Sequence, residues 1–116
     1  MAAATREYDY VAAAVFPWQR VRVRGPSMSP TLRDGDVVLV RHGVAPRPGD
    51  VVLATFRDMP DHFVLKRVVR AEGDGWWLRS DNEAAGGDSA SHGVADVQAR
   101  VVLSWRPRSM LPRRVR

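Results

Sequence analysis

Cysteine is absent from this 116-residue chain, which removes disulfide scaffolds, cysteine nucleophiles and cysteine-based zinc sites together. The fold must rest on burial alone. Lysine is nearly absent too: of 18 basic side chains, all but Lys66 are arginine. Arginine keeps its proton inside proteins, whereas lysine can release one. Long apolar runs are also missing. The longest, Val11 to Phe16, stops at Pro17, far short of the roughly 20 residues that a bilayer helix needs. Glu7 and Asp9 accompany Arg6 ahead of that run, and its length falls below the ~7–15 apolar residues of a secretory signal. The expectation is therefore a cytoplasmic chain without a membrane span.

What is present suits one soluble domain, since 12.9 kDa supports a single compact core. The formal charge of +5 does not belong to that domain, because residues 1–105 carry 13 basic and 13 acidic side chains. The excess lies in Arg106, Arg108, Arg113, Arg114 and Arg116, interspersed with Pro107 and Pro112. Such a tail is expected to bury little, to be mobile and to touch anions without specificity. No specific nucleic-acid partner is expected. The organisation read from this is an N-terminal segment 1–19, a domain 20–105 and a basic tail 106–116.

Alternation with a period of two dominates the domain. Arg20-Val21-Arg22-Val23-Arg24 is the pattern of a half-buried strand ending at Gly25-Pro26. Residues 36–41 and 51–56 are short β-rich runs introduced by Asp34-Gly35 and Pro48-Gly49-Asp50. His62 to Arg70 and Trp76 to Arg79 are joined through Glu72-Gly73-Asp74-Gly75, a hairpin signal. Val97 to Trp105 completes the strands. Asp81 to Gly93 is a polar loop long enough to have a use of its own, and Thr5 to Phe16 has helical character. The fold class is all-β with a short N-terminal helical segment. Trp76 and Trp77, adjacent on a strand, should point to opposite faces, one into the core and one outward.

The chemistry begins at Gly25-Pro26-Ser27-Met28-Ser29-Pro30. A serine between two prolines, directly after a strand, can present its hydroxyl and its backbone N–H to one point. Its hydroxyl is a weak nucleophile until a base takes the proton. The candidate bases are His42, His62, His92 and Lys66. No histidine stands in a recognisable local frame. Lys66 lies in a strand whose alternation gives it Val64 and Val68 as same-face neighbours and sends Arg67 to the other side. Desolvation disfavours the ammonium form of a lysine, and a neutral lysine amine is a usable general base. The structural alternative is a lysine snorkelling from a strand edge. Met28 is equally a core filler or a wall of a cleft.

Ser27-Met28-Ser29-Pro30-Thr31-Leu32, Gly35-Asp36-Val37-Val38, Lys66-Arg67-Val68, Ser80-Asp81-Asn82, Asp88-Ser89 and Gly93 resemble, in order and spacing, the sequence boxes of the signal peptidase I and LexA-like peptidases. That resemblance implies a Ser-Lys protease on an all-β fold, needing no metal or cofactor, with Ser27 as nucleophile and Lys66 as general base. It also implies that the Ser27 amide serves the oxyanion and that Asp81, Asn82 and Asp88 shape the site. Gly25-Pro26-Ser27-Met28, Arg47-Pro48-Gly49-Asp50, Gly75-Trp76-Trp77 and Ala85-Gly86-Gly87-Asp88 resemble more narrowly the proteases that mature nickel-type superoxide dismutase. The partner implied is a protein precursor, the nickel superoxide dismutase propeptide.

The chain departs from the wider pattern at three places. Gly25 stands where signal peptidases often place an oxyanion-binding serine, Gly86 where they place a lysine-orienting serine, and Ala90 where an arginine is common. The alternatives are a LexA-like self-cleaving regulator and a noncatalytic module binding through its basic tail.

Overall fold

The computed structural model describes residues 8–10, 16–107 and 111–115. Eight strands form one antiparallel sheet: β1 (Tyr8–Tyr10), β2 (Trp18–Val23), β3 (Val37–His42), β4 (Val51–Phe56), β5 (Met59–Glu72), β6 (Gly75–Arg79), β7 (Ala95–Trp105) and β8 (Arg113–Arg114). The order across the sheet is β1-β2-β3-β7-β4-β5-β6, with β8 added to β7. A pairing of Trp76 with Ala95 brings β6 back to β7, so β7, β4, β5 and β6 close into a ring. The all-β reading is correct.

The sheet folds around two apolar clusters, and β4 stands between them. Its sequence Val-Val-Leu-Ala-Thr-Phe is buried at every position, as a strand covered on both faces should be. Val51 and Leu53 join one cluster with Val21, Val38, Met28 and Leu32; Val52, Ala54 and Phe56 join the other with Val64, Val68 and Leu78. Complete burial of a side chain such as Phe56 stabilises the fold by about 2–3 kcal/mol. β5 is long enough to serve two partners: Arg67 faces Val51 of β4 and Arg79 of β6. The β5–β6 hairpin forms as expected, but its central residues are Gly73-Asp74, flanked by the Glu72–Gly75 pair. Gly73 has φ of 59°, the left-handed value that a glycine in the first central position of a II′ turn supplies.

Two expectations change. Tyr8–Tyr10 is a strand, pairing Tyr8 with Val23 and Tyr10 with Val21, where a helix was expected over Thr5 to Phe16. The free backbone edge of β2 supplies ladder partners that outweigh a weak local helix preference. Residues 5–7 and 11–15 of that segment lie outside those described. The basic tail is exposed at Arg113 and Arg114 and adds β8 to the part of β7 that β4 does not cover, through Leu103–Arg114 and Ser104–Arg113. The Val115 amide donates to the Val102 carbonyl at 3.0 Å, and the Val115 side chain packs against the Met28 cluster. Trp76 and Trp77 are both half-buried rather than one in and one out. Trp76 rests on the second cluster, and Arg70 covers the ring of Trp77 at 5.1 Å.

Candidate active site

Ser27 stands in the loop between β2 and β3. The loop leaves β2 through Gly25, whose φ of 83° suits glycine; its amide donates to Asp34 Oδ1 at 2.8 Å. Two apolar anchors, Met28 and Leu32, sink into the first cluster with at most 1% exposure, and Leu32 N–H donates to the Met28 carbonyl at 2.9 Å. Met28 is therefore core. Ser27 itself is 7% exposed.

Lys66 comes from β5 and is 1% exposed. Its Nζ donates to Ser80 Oγ at 3.0 Å, and the Ser80 hydroxyl donates in turn to the Gly86 carbonyl at 2.9 Å. That chain of donors corrects the expectation that Lys66 lacks an orienting hydroxyl. Position 86 offers a backbone oxygen, and the hydroxyl comes from Ser80.

The stretch from Ser80 to Asn82 reaches the serine loop as well. Asn82 N–H donates to the Ser27 carbonyl at 2.9 Å, and Asn82 Nδ2 donates to the Pro26 carbonyl at 3.1 Å. Asp81 N–H meets Met28 Sδ at 3.5 Å. The Asp81 carboxylate accepts from Thr31 Oγ1 at 2.6 Å, and from Arg67 Nη2 and Nε at 2.6 and 3.1 Å. Thr31 belongs to the serine loop and Arg67 is the chain neighbour of Lys66. Burial pushes the Asp81 carboxyl up. The Arg67 and Thr31 hydrogen bonds and the positive charges of Arg67 and Arg79 outweigh it, holding the group below the usual carboxylate range.

Asp88 works one step further out. Its Oδ2 accepts from the Ser80 amide at 3.1 Å, and its Oδ1 accepts from Ala90 N at 3.2 Å. It thereby caps a short helix, α1 (Ser89–His92). Ser89 Oγ accepts from Leu78 N at 2.8 Å, so α1 satisfies the outer edge of β6 with side chains in place of another strand. The long polar loop is thus a folded support, with a 3-10 turn at Glu83–Ala85 and α1 beyond it.

Two of the three histidines are engaged elsewhere: His42 pairs with Gln19 Oε1 at 2.8 Å, and His92 with Asp58 Oδ2 at 2.8 Å. His62 is half-buried on β5. Among the described residues, no three His, Cys, Asp or Glu side chains are grouped to hold a metal ion, and no helix is long and apolar enough to cross a membrane. An open hollow of about 570 Å³ adjoins the site, walled by Thr31, Arg67 and Asp81 among others.

Comparison with known proteins identifies the family of the chain. The Peptidase S24-like family matches residues 15–102. Subunit 1 of the mitochondrial inner membrane protease of Xenopus tropicalis is 31% identical over 89% of this chain and 79% of its own length. The mouse counterpart is 35% identical over 64% of the chain, which spans 48% of that relative. Signal peptidase I of Streptococcus pneumoniae is 38% identical over 60% of the chain, which spans 32% of that protein. With most of its length matched, this chain belongs to the Peptidase S24-like family and is a peptidase of the signal-peptidase type.

Proposed function

We propose that the protein is a serine endopeptidase that uses Ser27 and Lys66 as a dyad to remove a short N-terminal propeptide from a protein precursor. The observation that carries this reading is that one stretch of three residues, Ser80 to Asn82, hydrogen-bonds both the Ser27 peptide and the Lys66 amine. Two residues far apart in sequence are thereby tied to one rigid support. A structural lysine would not require the serine loop beside it, and a turn serine would not require a buried amine.

In this mechanism a substrate segment lies extended along an open sheet edge. Lys66 Nζ, as general base, takes the proton of Ser27 Oγ, which attacks the scissile carbonyl. The oxyanion accepts from the Ser27 backbone N–H. The protonated lysine returns the proton to the leaving amine, and the acyl-enzyme is then hydrolysed by water that Lys66 activates. Ser80 acts by position. Because its own proton goes to the Gly86 carbonyl, its oxygen accepts from Nζ, which fixes one N–H of the amine and so the direction of its lone pair. Asp81, Asn82 and Asp88 hold Arg67, the Ser27 loop and Ser80 in register and transfer no proton.

The substrate is proposed to be the nickel superoxide dismutase precursor, with the reaction in the cytoplasm. The support is the resemblance of the Ser27, Arg47–Asp50 and Gly86–Asp88 segments to the proteases that mature this enzyme. Co-expression with the precursor tests it: wild-type protein should release the mature N-terminus, measured by intact mass, and Ser27→Ala should release none. Trimming by Ser27→Ala at a normal rate would refute the nucleophile. Wild-type activity on other peptides but none on this precursor would refute the substrate.

The positioning role has its own test. Ser80→Ala should lower kcat about 10–100-fold with little change in KM, and its pH–rate profile should be displaced from that of wild type. Ser80→Thr, if its methyl is accommodated, should recover part of the rate. An unchanged profile with normal kcat would leave Ser80 with packing alone.

A further inference from the structure

Beyond the dyad, a run of arginines stands beside the serine loop. Three hollows share walls there, of about 570, 460 and 390 Å³: Pro30 and Thr31 line the first and third, Pro48 and Asp50 the first and second, and Arg114 and Val115 the second and third. Together they form one trough that starts at the Ser27 loop and runs past the loop before β4 to β8. Six arginines line it against two aspartates. One aspartate, Asp81, is already neutralised by Arg67. The other, Asp50, caps its own turn through the Arg47 amide.

The remaining five, Arg47, Arg79, Arg100, Arg113 and Arg114, make no side-chain hydrogen bond or salt bridge among the described residues. They come from four separate parts of the chain: the loop before β4, β6, β7 and β8. The tail arginines, which the sequence presents as a solvated excess, are brought by β8 to the rim that Arg47 and Arg100 already occupy.

We infer that this trough is a substrate subsite for an acidic polypeptide segment, so that the protease selects precursors carrying Asp or Glu to one side of the scissile bond. The inference rests on the dyad reading, because it is the contact with Pro30 and Thr31 that makes the trough part of a substrate path. An acidic side chain gains charge-assisted, fork-shaped hydrogen bonds from unpaired guanidinium groups, while a basic segment is repelled. Nucleic acid is the less favoured occupant, because the trough adjoins Pro30 and Thr31 of the serine loop in a chain of a peptidase family.

The test measures binding and cleavage separately. In the Ser27→Ala background, fluorescence anisotropy compares a labelled short peptide with alanines at its centre and glutamates on one flank, its glutamine twin, and a single-stranded oligonucleotide. The glutamate peptide, with the acidic residues on one flank or the other, should bind about tenfold more tightly than the glutamine twin at low salt. That advantage should vanish at high salt, in Arg100→Gln/Arg114→Gln, and in the second pair Arg47→Gln/Arg79→Gln. With Ser27 restored, the loss should fall on KM and leave kcat in place. Equal affinity for the two peptides, retention of the preference by both double variants, or tighter binding of the oligonucleotide would overturn the inference. Preferential binding without cleavage of any peptide or precursor would overturn the dyad and with it the substrate role of the trough, leaving only a surface that binds acidic peptides; loss of the preference with cleavage intact would overturn the subsite alone.

Discussion

Lys66→Met should abolish proteolysis while leaving the protein about as stable as wild type. The two side chains are similar in length, and the position is 1% exposed on a face shared with Val64 and Val68, so a thioether suits the surroundings better than an amine does. The variant loses the hydrogen bond from Nζ to Ser80, but Ser80 keeps its bond to Gly86. The expected change in stability is within about 1 kcal/mol, readable as a urea midpoint close to that of wild type. The chemical loss is of another order. Without a proton acceptor the serine hydroxyl stays protonated, and a positioned general base contributes about 10²–10⁴-fold. Cleavage should fall about 10²–10⁴-fold, towards the level of Ser27→Ala. A folded Lys66→Met protein that still cleaves at a normal rate would remove the lysine from the mechanism.

Asp81→Asn should produce the largest loss of stability of any single substitution around the site. The carboxylate receives two bonds from Arg67 and one from Thr31, and the Arg67 and Asp81 side chains are only 14% and 10% exposed. An asparagine leaves the guanidinium in a largely dry place without its counter-charge, and breaking a pair of this kind costs about 3 kcal/mol. The melting temperature should drop by roughly 10 °C or more. The pH dependence follows from the depressed titration of Asp81. Its contribution to stability is fully present above the ordinary carboxylate range and is lost as pH falls through its lower, folded-state value. The gap between wild type and Asp81→Asn should therefore be widest near neutral pH and narrow in acid. A gap independent of pH would show that the ion pair contributes nothing beyond packing.

Much of this arrangement is readable from period and punctuation. The alternating Arg-Val run, the breakers before β3 and β4, and the Gly-rich turn after Glu72 set six of the strands to within a few residues, because burial on one or both faces dictates those patterns. Ser27 and Lys66 stand out for independent reasons, one from its proline frame and the other as the single lysine. What the sequence conceals depends on contacts rather than pattern. Tyr8–Tyr10 becomes a strand because β2 offers it an edge, and Arg113–Arg114 because β7 does. Neither edge is visible before the sheet is assembled. Ser80 escapes notice for a similar reason: its neighbour Gly86 contributes a carbonyl, and a carbonyl belongs to every residue, so no side chain marks it.

The support shared by Ser27 and Lys66 also has a temporal meaning. In the proposed mechanism, residues 80–88 follow both Ser27 and Lys66 in the chain, so a nascent polypeptide carries the nucleophile and the base before the segment that hydrogen-bonds both has been made. In that mechanism, alignment of the pair therefore waits for this stretch to dock.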